Sequence, residues 1–166
     1  MVRPLAALLA VAVVLAGTCA AGAATSRGMS TTLVVAVRSV ETGSHAYDKA
    51  PTGLSKGDRW LIRDRLINTK KQFGKPRGAV VGSDQAILVF TSPTSATFTG
   101  TTKLPGGTVR VHGVIHVSGP STAGTVDGGT GRYAHARGTI VIGSGTNPLN
   151  TYHLTLPAKP PGGTTV

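Results

Sequence analysis

From Thr31 to Leu156 the chain runs in short stretches where apolar and polar residues alternate, each stretch closed by a turn. In Ser95–Leu104, Ala96, Phe98, Gly100, Thr102 and Leu104 share one parity, and Thr97, Thr99, Thr101 and Lys103 the other. In the next stretch Val109, Val111, Gly113, Ile115 and Val117 oppose Arg110, His112, Val114 and His116; near the end Tyr152, Leu154 and Leu156 oppose Thr151, His153 and Thr155. Side chains on a strand repeat with period two, so each stretch has one apolar and one polar face. Helical periodicity is absent. The pattern predicts strands at Thr31–Glu41, Gly57–Asn68, Gly78–Phe90, Ser95–Leu104, Gly107–Ser118, Ser121–Val126, Arg137–Ser144 and Asn150–Leu156. Pro93, Pro105-Gly106-Gly107, Gly119-Pro120, Gly128-Gly129-Thr130-Gly131 and Gly145-Thr146-Asn147-Pro148 supply the turn chemistry between them. Tight turns favour an antiparallel meander, and closing it removes the exposed edges. The expected fold is all-β, an eight-stranded antiparallel up-and-down β-barrel. Gly78–Phe90 is apolar on both faces in places, which predicts a covered outer surface or an oligomer contact.

The first segment has a different pattern. Arg3 precedes an unbroken apolar run, Leu5–Leu15, followed by small residues in which Ala21-Gly22-Ala23 meets the A-x-A rule of signal peptidase. The run is too short to span a bilayer, and no later stretch is long and apolar enough, so no membrane span is expected. The reading is a signal peptide over 1–24, a single barrel domain over 25–156, and a flexible Pro/Gly/Thr-rich tail over 157–166, in a secreted, extracytoplasmic protein. Cys19, the chain's one cysteine, leaves with the leader. Ala16 and Thr18 stand where a lipoprotein signal wants a Leu-like and a small residue. An internal disulfide, a multi-Cys zinc site and a Cys nucleophile are thereby excluded.

Charge changes the picture further. The 166 residues hold 17 Lys+Arg against 6 Asp+Glu, a formal net charge of +11. The excess is concentrated in Lys56–Arg77, where Lys56, Arg59, Arg63, Arg65, Lys70, Lys71, Lys75 and Arg77 face only Asp58 and Asp64. Arg59, Arg63 and Arg65 share the outward side of the second strand, and the following loop supplies Lys70, Lys71, Lys75 and Arg77. Such a patch suits an anionic surface, and a non-enzymatic basic envelope protein adhering to anionic cell-wall polymer is the alternative function it supports. A single-stranded nucleic-acid barrel needs aromatic stacking platforms, and none lies among these arginines, so no nucleic-acid partner is expected.

Parity also singles out acids. Glu41 falls on the face of Leu33, Val35 and Val37, Asp64 on that of Trp60, Ile62 and Leu66, and Asp84 on that of Leu88 and Phe90. If these faces line the barrel, burial without a partner raises the carboxyl pKa values, which suits general acid/base work or stabilisation of a developing positive charge. The plainer reading puts Glu41 at a strand end in water and pairs Asp64 and Asp84 with arginine or Tyr152. Tyr152 is the inward hydroxyl of the set. Small inward residues, Gly82, Ala86, Ala96, Gly100 and Gly113, are expected to leave room for a ligand, and Trp60, Phe90 and Phe98 to compete for it. His112 and His116 share a strand face about 13 Å apart, too far to bind one ion, and with His153 they fall on the outer face. No metal site is expected.

Three ordered segments resemble the allene oxide cyclase/dirigent-like barrel superfamily. Gly128-Gly129-Thr130-Gly131-Arg132-Tyr133-Ala134-His135-Ala136-Arg137-Gly138 is similar to its Gly-rich corner with an aromatic two places on and Ala-Arg-Gly opening a strand. Val81-Gly82-Ser83-Asp84-Gln85-Ala86 is similar to the Val-Gly-x-x-x-Gly of its third strand, with Ala86 for the last glycine. Leu104-Pro105-Gly106-Gly107-Thr108-Val109-Arg110-Val111-His112-Gly113 is similar to its hairpin into the central strand, with His112 where Gln is common. The resemblance implies a barrel with an internal pocket, a homo-oligomer (a trimer in plant members), and no metal or organic cofactor. It also implies a cofactor-independent isomerase or cyclase that steers an apolar small molecule into one cyclisation or coupling geometry. On that reading Glu41, Asp64 and Asp84 are the catalytic polar groups and Tyr152 a hydrogen-bonding wall.

Overall fold

The structure, a computed structural model, describes residues 29–158, so the expected leader and nearly all of the expected tail lie outside the described residues. The elements are β1 (Thr31–Tyr47), β2 (Arg59–Asn68), β3 (Val80–Ser92), β4 (Ser95–Leu104), β5 (Gly107–His116), β6 (Ser121–Gly129), a single 3-10 turn at Gly131–Tyr133, β7 (Arg137–Gly143) and β8 (Leu149–Leu156). Each strand pairs antiparallel with its sequence neighbour, and β8 returns to β1 to close the barrel. All eight expected strands form. The largest difference is β1, which continues from Glu41 to Tyr47 through a bulge between Glu41 and Gly43. The extra residue there breaks the alternation, so Thr42-Gly43-Ser44-His45 does not look like a strand when read alone.

This extension shapes one end of the barrel. β1 pairs with β8 only over Thr31–Arg38, whereas its pairing with β2 continues to Tyr47 opposite Arg59. Past Arg38 the β1–β2 ribbon therefore outruns β8, held at the branch point by the Ser39 amide donating to the Pro148 carbonyl (2.9 Å). The bulge sets Ser44 and Ala46 opposite Ile62 and Trp60 on the ribbon's inner side. Trp60 stands here edge-on to Phe90, ring centroids 5.3 Å apart.

The opposite end is stoppered. Val81, Leu104, Val109 and Leu156 are buried across it. The Gly-rich corner folds over it as its sequence leads one to expect: Gly131 takes φ 58°, Tyr133 is fully buried, and its hydroxyl donates to the Pro105 carbonyl (3.1 Å). Gly138 has φ 144°, and a Cβ there would collide with the His153 carbonyl.

Between the ends, Val35, Val37, Leu66, Leu88, Phe98, Val111, Val126, Ile140 and Leu154 form one buried core. Each such side chain contributes about 1.5–3 kcal/mol by leaving water. The expectation that small inward residues leave room is corrected here. A Cβ on either Gly113 or Gly124 would lie 2.6 Å from the Phe98 ring, so these glycines seat the phenyl group. At Gly100 the Val111 side chain stands 3.1 Å from the Cβ position, and at Gly82 the Lys103 carbonyl fills it. The missing side chains let strands and rings approach, and the middle of the barrel is packed.

Candidate functional site

The strand register brings the three inward acids side by side. Glu41 on β1 opposes Asp64 on β2, Asp64 opposes Asp84 on β3, and Asp84 opposes Thr102 on β4. They form one row across the inner wall, graded in burial from exposed Glu41 through half-buried Asp64 to Asp84, whose Oδ1 is out of contact with water. From β8, Tyr152 reaches across to share a 2.9 Å hydrogen bond with the Thr102 hydroxyl. The row thus runs from the ribbon's open side to the buried phenol.

Like charges directly opposite one another on a sheet repel, and burial disfavours the ionised form. Burial pushes the Asp84 carboxyl up to about 7, with the charge of Asp64 adding to the rise and the Gln85 amide opposing it. Asp64 is also raised, mainly by desolvation and further by Glu41, while a hydrogen bond from Ser39 holds it back. The Tyr152 hydroxyl is pushed well above the usual phenol range by burial and then by Asp84. Behind Asp64, Asn150 Nδ2 donates to Ser39 Oγ (2.9 Å), so a chain of polar contacts runs Asn150–Ser39–Asp64. Two buried oxygens, Asp84 Oδ1 and Asn150 Oδ1, have no hydrogen-bond partner. Unpaired buried acceptors are costly, and they cluster where a proton or a ligand is handled.

Glu41, Asp64 and Asp84 therefore share one wall and Tyr152 meets its far end from β8; Glu41 is exposed, as the plainer reading expects, but at a bulge within β1 and not at a strand end. Asp64 and Asp84 have no arginine partner among the described residues. Ser39, Thr102 and Asn150 belong to the same site and were not singled out by sequence reading. The available signal was their inward parity, as polar residues among Val37, Leu104 and Tyr152. Asp58 is a different case: it is buried at 2% exposure, accepts from the Lys49 and Ser55 amides (2.8 and 2.7 Å), and is held below the usual carboxylate range chiefly by the Lys49 contact. It ties the β1–β2 connection.

The basic residues lie elsewhere. Arg59, Arg63, Arg65, Lys70, Lys71, Lys75 and Arg77 are all exposed, the first three on the outside of β2 and the rest in the loop before β3. His112 stands on the outer face 3.4 Å from Asp127, and His116 shares a hydrogen bond with Ser95. Among the described residues no group of three or more His, Cys, Asp or Glu is placed to hold a metal ion, and no helix is long and apolar enough to cross a membrane.

No protein-family model matches the chain, and no curated protein matches it. Solved structures do. The barrel is similar to a pyocyanin demethylase (TM-score 0.63, 20% identity, covering 74% of this chain and 100% of that one). It is also similar to a pterocarpan synthase dirigent protein (TM-score 0.59, 18% identity, 80% and 91% covered). A Diels-Alderase from Streptomyces koyangensis matches as well (TM-score 0.60, 17% identity, 78% and 65% covered). At these identities the likeness is one of fold, that of the allene oxide cyclase/dirigent-like barrels.

Proposed function

We propose that this barrel binds an apolar small molecule at the mouth beneath the β1–β2 ribbon and directs its cyclisation or coupling. The observation that carries the reading is the carboxyl row Glu41–Asp64–Asp84, which leads from solvent to an unpartnered buried oxygen on the inner wall. The dirigent and Diels-Alderase neighbours support the reaction class, since their names describe a pterocarpan synthase and a cycloaddition enzyme. Because the middle of the barrel is packed, the ligand is seated against Trp60, which is backed by Phe90, and Ile62, with its reacting part toward Asp64.

Each residue has a role that its surroundings favour. Asp84, retaining its proton close to neutral pH, is the general acid or the neutral hydrogen-bond donor. Asp64, oriented by Ser39, is the base or the group that steadies a developing cation. Tyr152, its hydroxyl tied to Thr102, is a positioning residue for the wall. The apolar mouth fixes the conformation from which the ring closes, so confinement supplies the rate and stereochemistry.

The function also requires an address, and we propose export with cleavage after the Ala21-Gly22-Ala23 motif, which N-terminal sequencing of the secreted protein tests. The test of the binding reading is mass spectrometry of small molecules that co-purify with the protein from its producer. The chain's only tryptophan, Trp60, sits at the mouth, so its fluorescence reports re-addition of the recovered compound. A recovered apolar compound that shifts Trp60 emission, and that Asp84→Asn binds but no longer converts, is the expected result. A protein that carries no such compound overturns the reading.

A further inference from the structure

The outer face of β2–β5 carries a second arrangement, independent of the inner row. Register sets Arg65, Ser83, Lys103 and Thr108 in one line across it and Arg63, Gln85, Thr101 and Arg110 in the next. Over the second line, and reaching Ser83 of the first, lies an open groove of about 970 Å³, bordered among others by Thr42, Arg63, Gln85, Thr101, Arg110 and Asp127. Asp64 and Asp84 also touch its floor, with side chains on the inward parity of Leu66 and Leu88. Arg63 and Arg110 stand on its two long sides, three strand spacings or about 14 Å apart. Arg65 and Lys103 extend the positive charge toward the stoppered end.

The composition of this surface narrows what it fits. Arg63, Arg65 and Lys103 are exposed and have no acidic partner within ion-pair distance among the described residues. Arg110 Nε shares the Asp127 carboxylate (3.6 Å) with His112 (3.4 Å) and its Nη2 donates to the Asp127 carbonyl (3.4 Å), which leaves Nη1 for a ligand. Between the cations the floor is neutral and rich in hydroxyl and amide groups: Ser83, Gln85, Thr99 and Thr101. Guanidinium groups take carboxylates or phosphates bidentately, and hydroxyls and amides both donate and accept. Among the described residues no Phe, Tyr or Trp borders the groove, and the one ring there, the His112 imidazole, is paired with Asp127, so bases lack a stacking platform. A hydroxyl-rich anion satisfies both kinds of group at once.

We infer that this groove binds an acidic glycan, with its anionic groups on Arg63, Arg65, Lys103 and Arg110 and its sugar hydroxyls on the Ser/Thr/Gln floor. The surface differs from the basic cluster visible along the sequence. Lys103 and Arg110 come to it from distant strands, while Lys70, Lys71 and Arg77 stay in the end loop. Tethering to such a polymer would hold the barrel where its producer's envelope or surroundings carry one.

The test is titration of the full chain with polygalacturonate, with dextran as the uncharged control and polyphosphate as the sugar-free one. Polygalacturonate is expected to bind with an affinity that falls as salt rises, and dextran not to bind. Arg63→Ala with Arg110→Ala weakens binding roughly tenfold or more. Lys71→Ala with Arg77→Ala removes the same charge outside the groove and weakens it less than about threefold. Unchanged melting temperatures of both pairs confirm that the fold is intact. The inference is overturned if the two pairs weaken binding equally, if polyphosphate or an oligonucleotide binds as tightly as polygalacturonate, or if polygalacturonate does not bind.

Discussion

The inner and outer faces of β2 differ in sign although the residues alternate within one segment. Arg63 and Arg65 point out and Asp64, between them, points in. The contrast extends over the whole barrel. Every Lys, Arg and His in the eight strands is exposed, whereas three of the chain's six acids fall on inward positions. A protein of formal charge +11 thus has an interior whose only ionisable side chains are acids and phenols among the described residues. Charge on the outside is solvated and cheap; inside it is desolvated, shifts protonation, and persists where it is used. Net charge therefore describes the surface of this molecule and gives the wrong sign for its interior.

The contrast can be broken most severely from within. Asp84→Lys places an ammonium beside Asp64, Thr102 and Tyr152 on the inner wall and should cost more than about 3 kcal/mol, seen as loss of the cooperative urea transition. Arg63→Asp, one of the same strand system's outward residues, should change stability by no more than about 0.5 kcal/mol. If both substitutions cost the same, the two faces are not distinct environments.

A milder change sharpens the picture and has a defined sign. The Asp84 carboxyl has a folded pKa of about 7, above its unfolded value of 3.8. The folded state therefore keeps the proton more tightly, and the contribution present below the unfolded value is lost as pH rises toward the folded one. Asp84→Asn should be stabilising by ~1–3 kcal/mol at pH 8, with the gain shrinking to near zero by pH 4. Chemical denaturation of both proteins across that range measures it, and a pH-independent difference would contradict the assignment.

The smallest expected effect concerns the end of the row. Tyr152→Phe leaves the buried Thr102 hydroxyl without its partner and should cost about 1–2 kcal/mol. Adding Thr102→Val removes the orphan and should recover part of that loss, a coupling that a double-mutant cycle reads directly.

Much of this was legible in the order of residues. Parity alone placed Ala96, Phe98 and Leu104 inside and set Asp64 and Asp84 on inward faces, because a pleat leaves a side chain only two directions. The turns were marked by glycine and proline. What parity does not carry is register, which bulges and loops decide between strands. That Glu41, Asp64, Asp84 and Thr102 stand in a single row, or that Arg63 and Arg110 flank one groove, depends on pairings distant in sequence. The bulge at Thr42 hid the last third of β1 for the same reason. The amount of free space was misread because a glycine looks like a vacancy in a sequence, whereas Gly113 and Gly124 exist to admit Phe98.

The Tyr133 corner has one more consequence. With the middle filled by Phe98 and its neighbours and the far end closed by Tyr133, the two ends of the barrel are not joined through its interior. On the proposed reading a guest would enter and leave from the ribbon side alone, and a tightly held product would compete with the next substrate for that side.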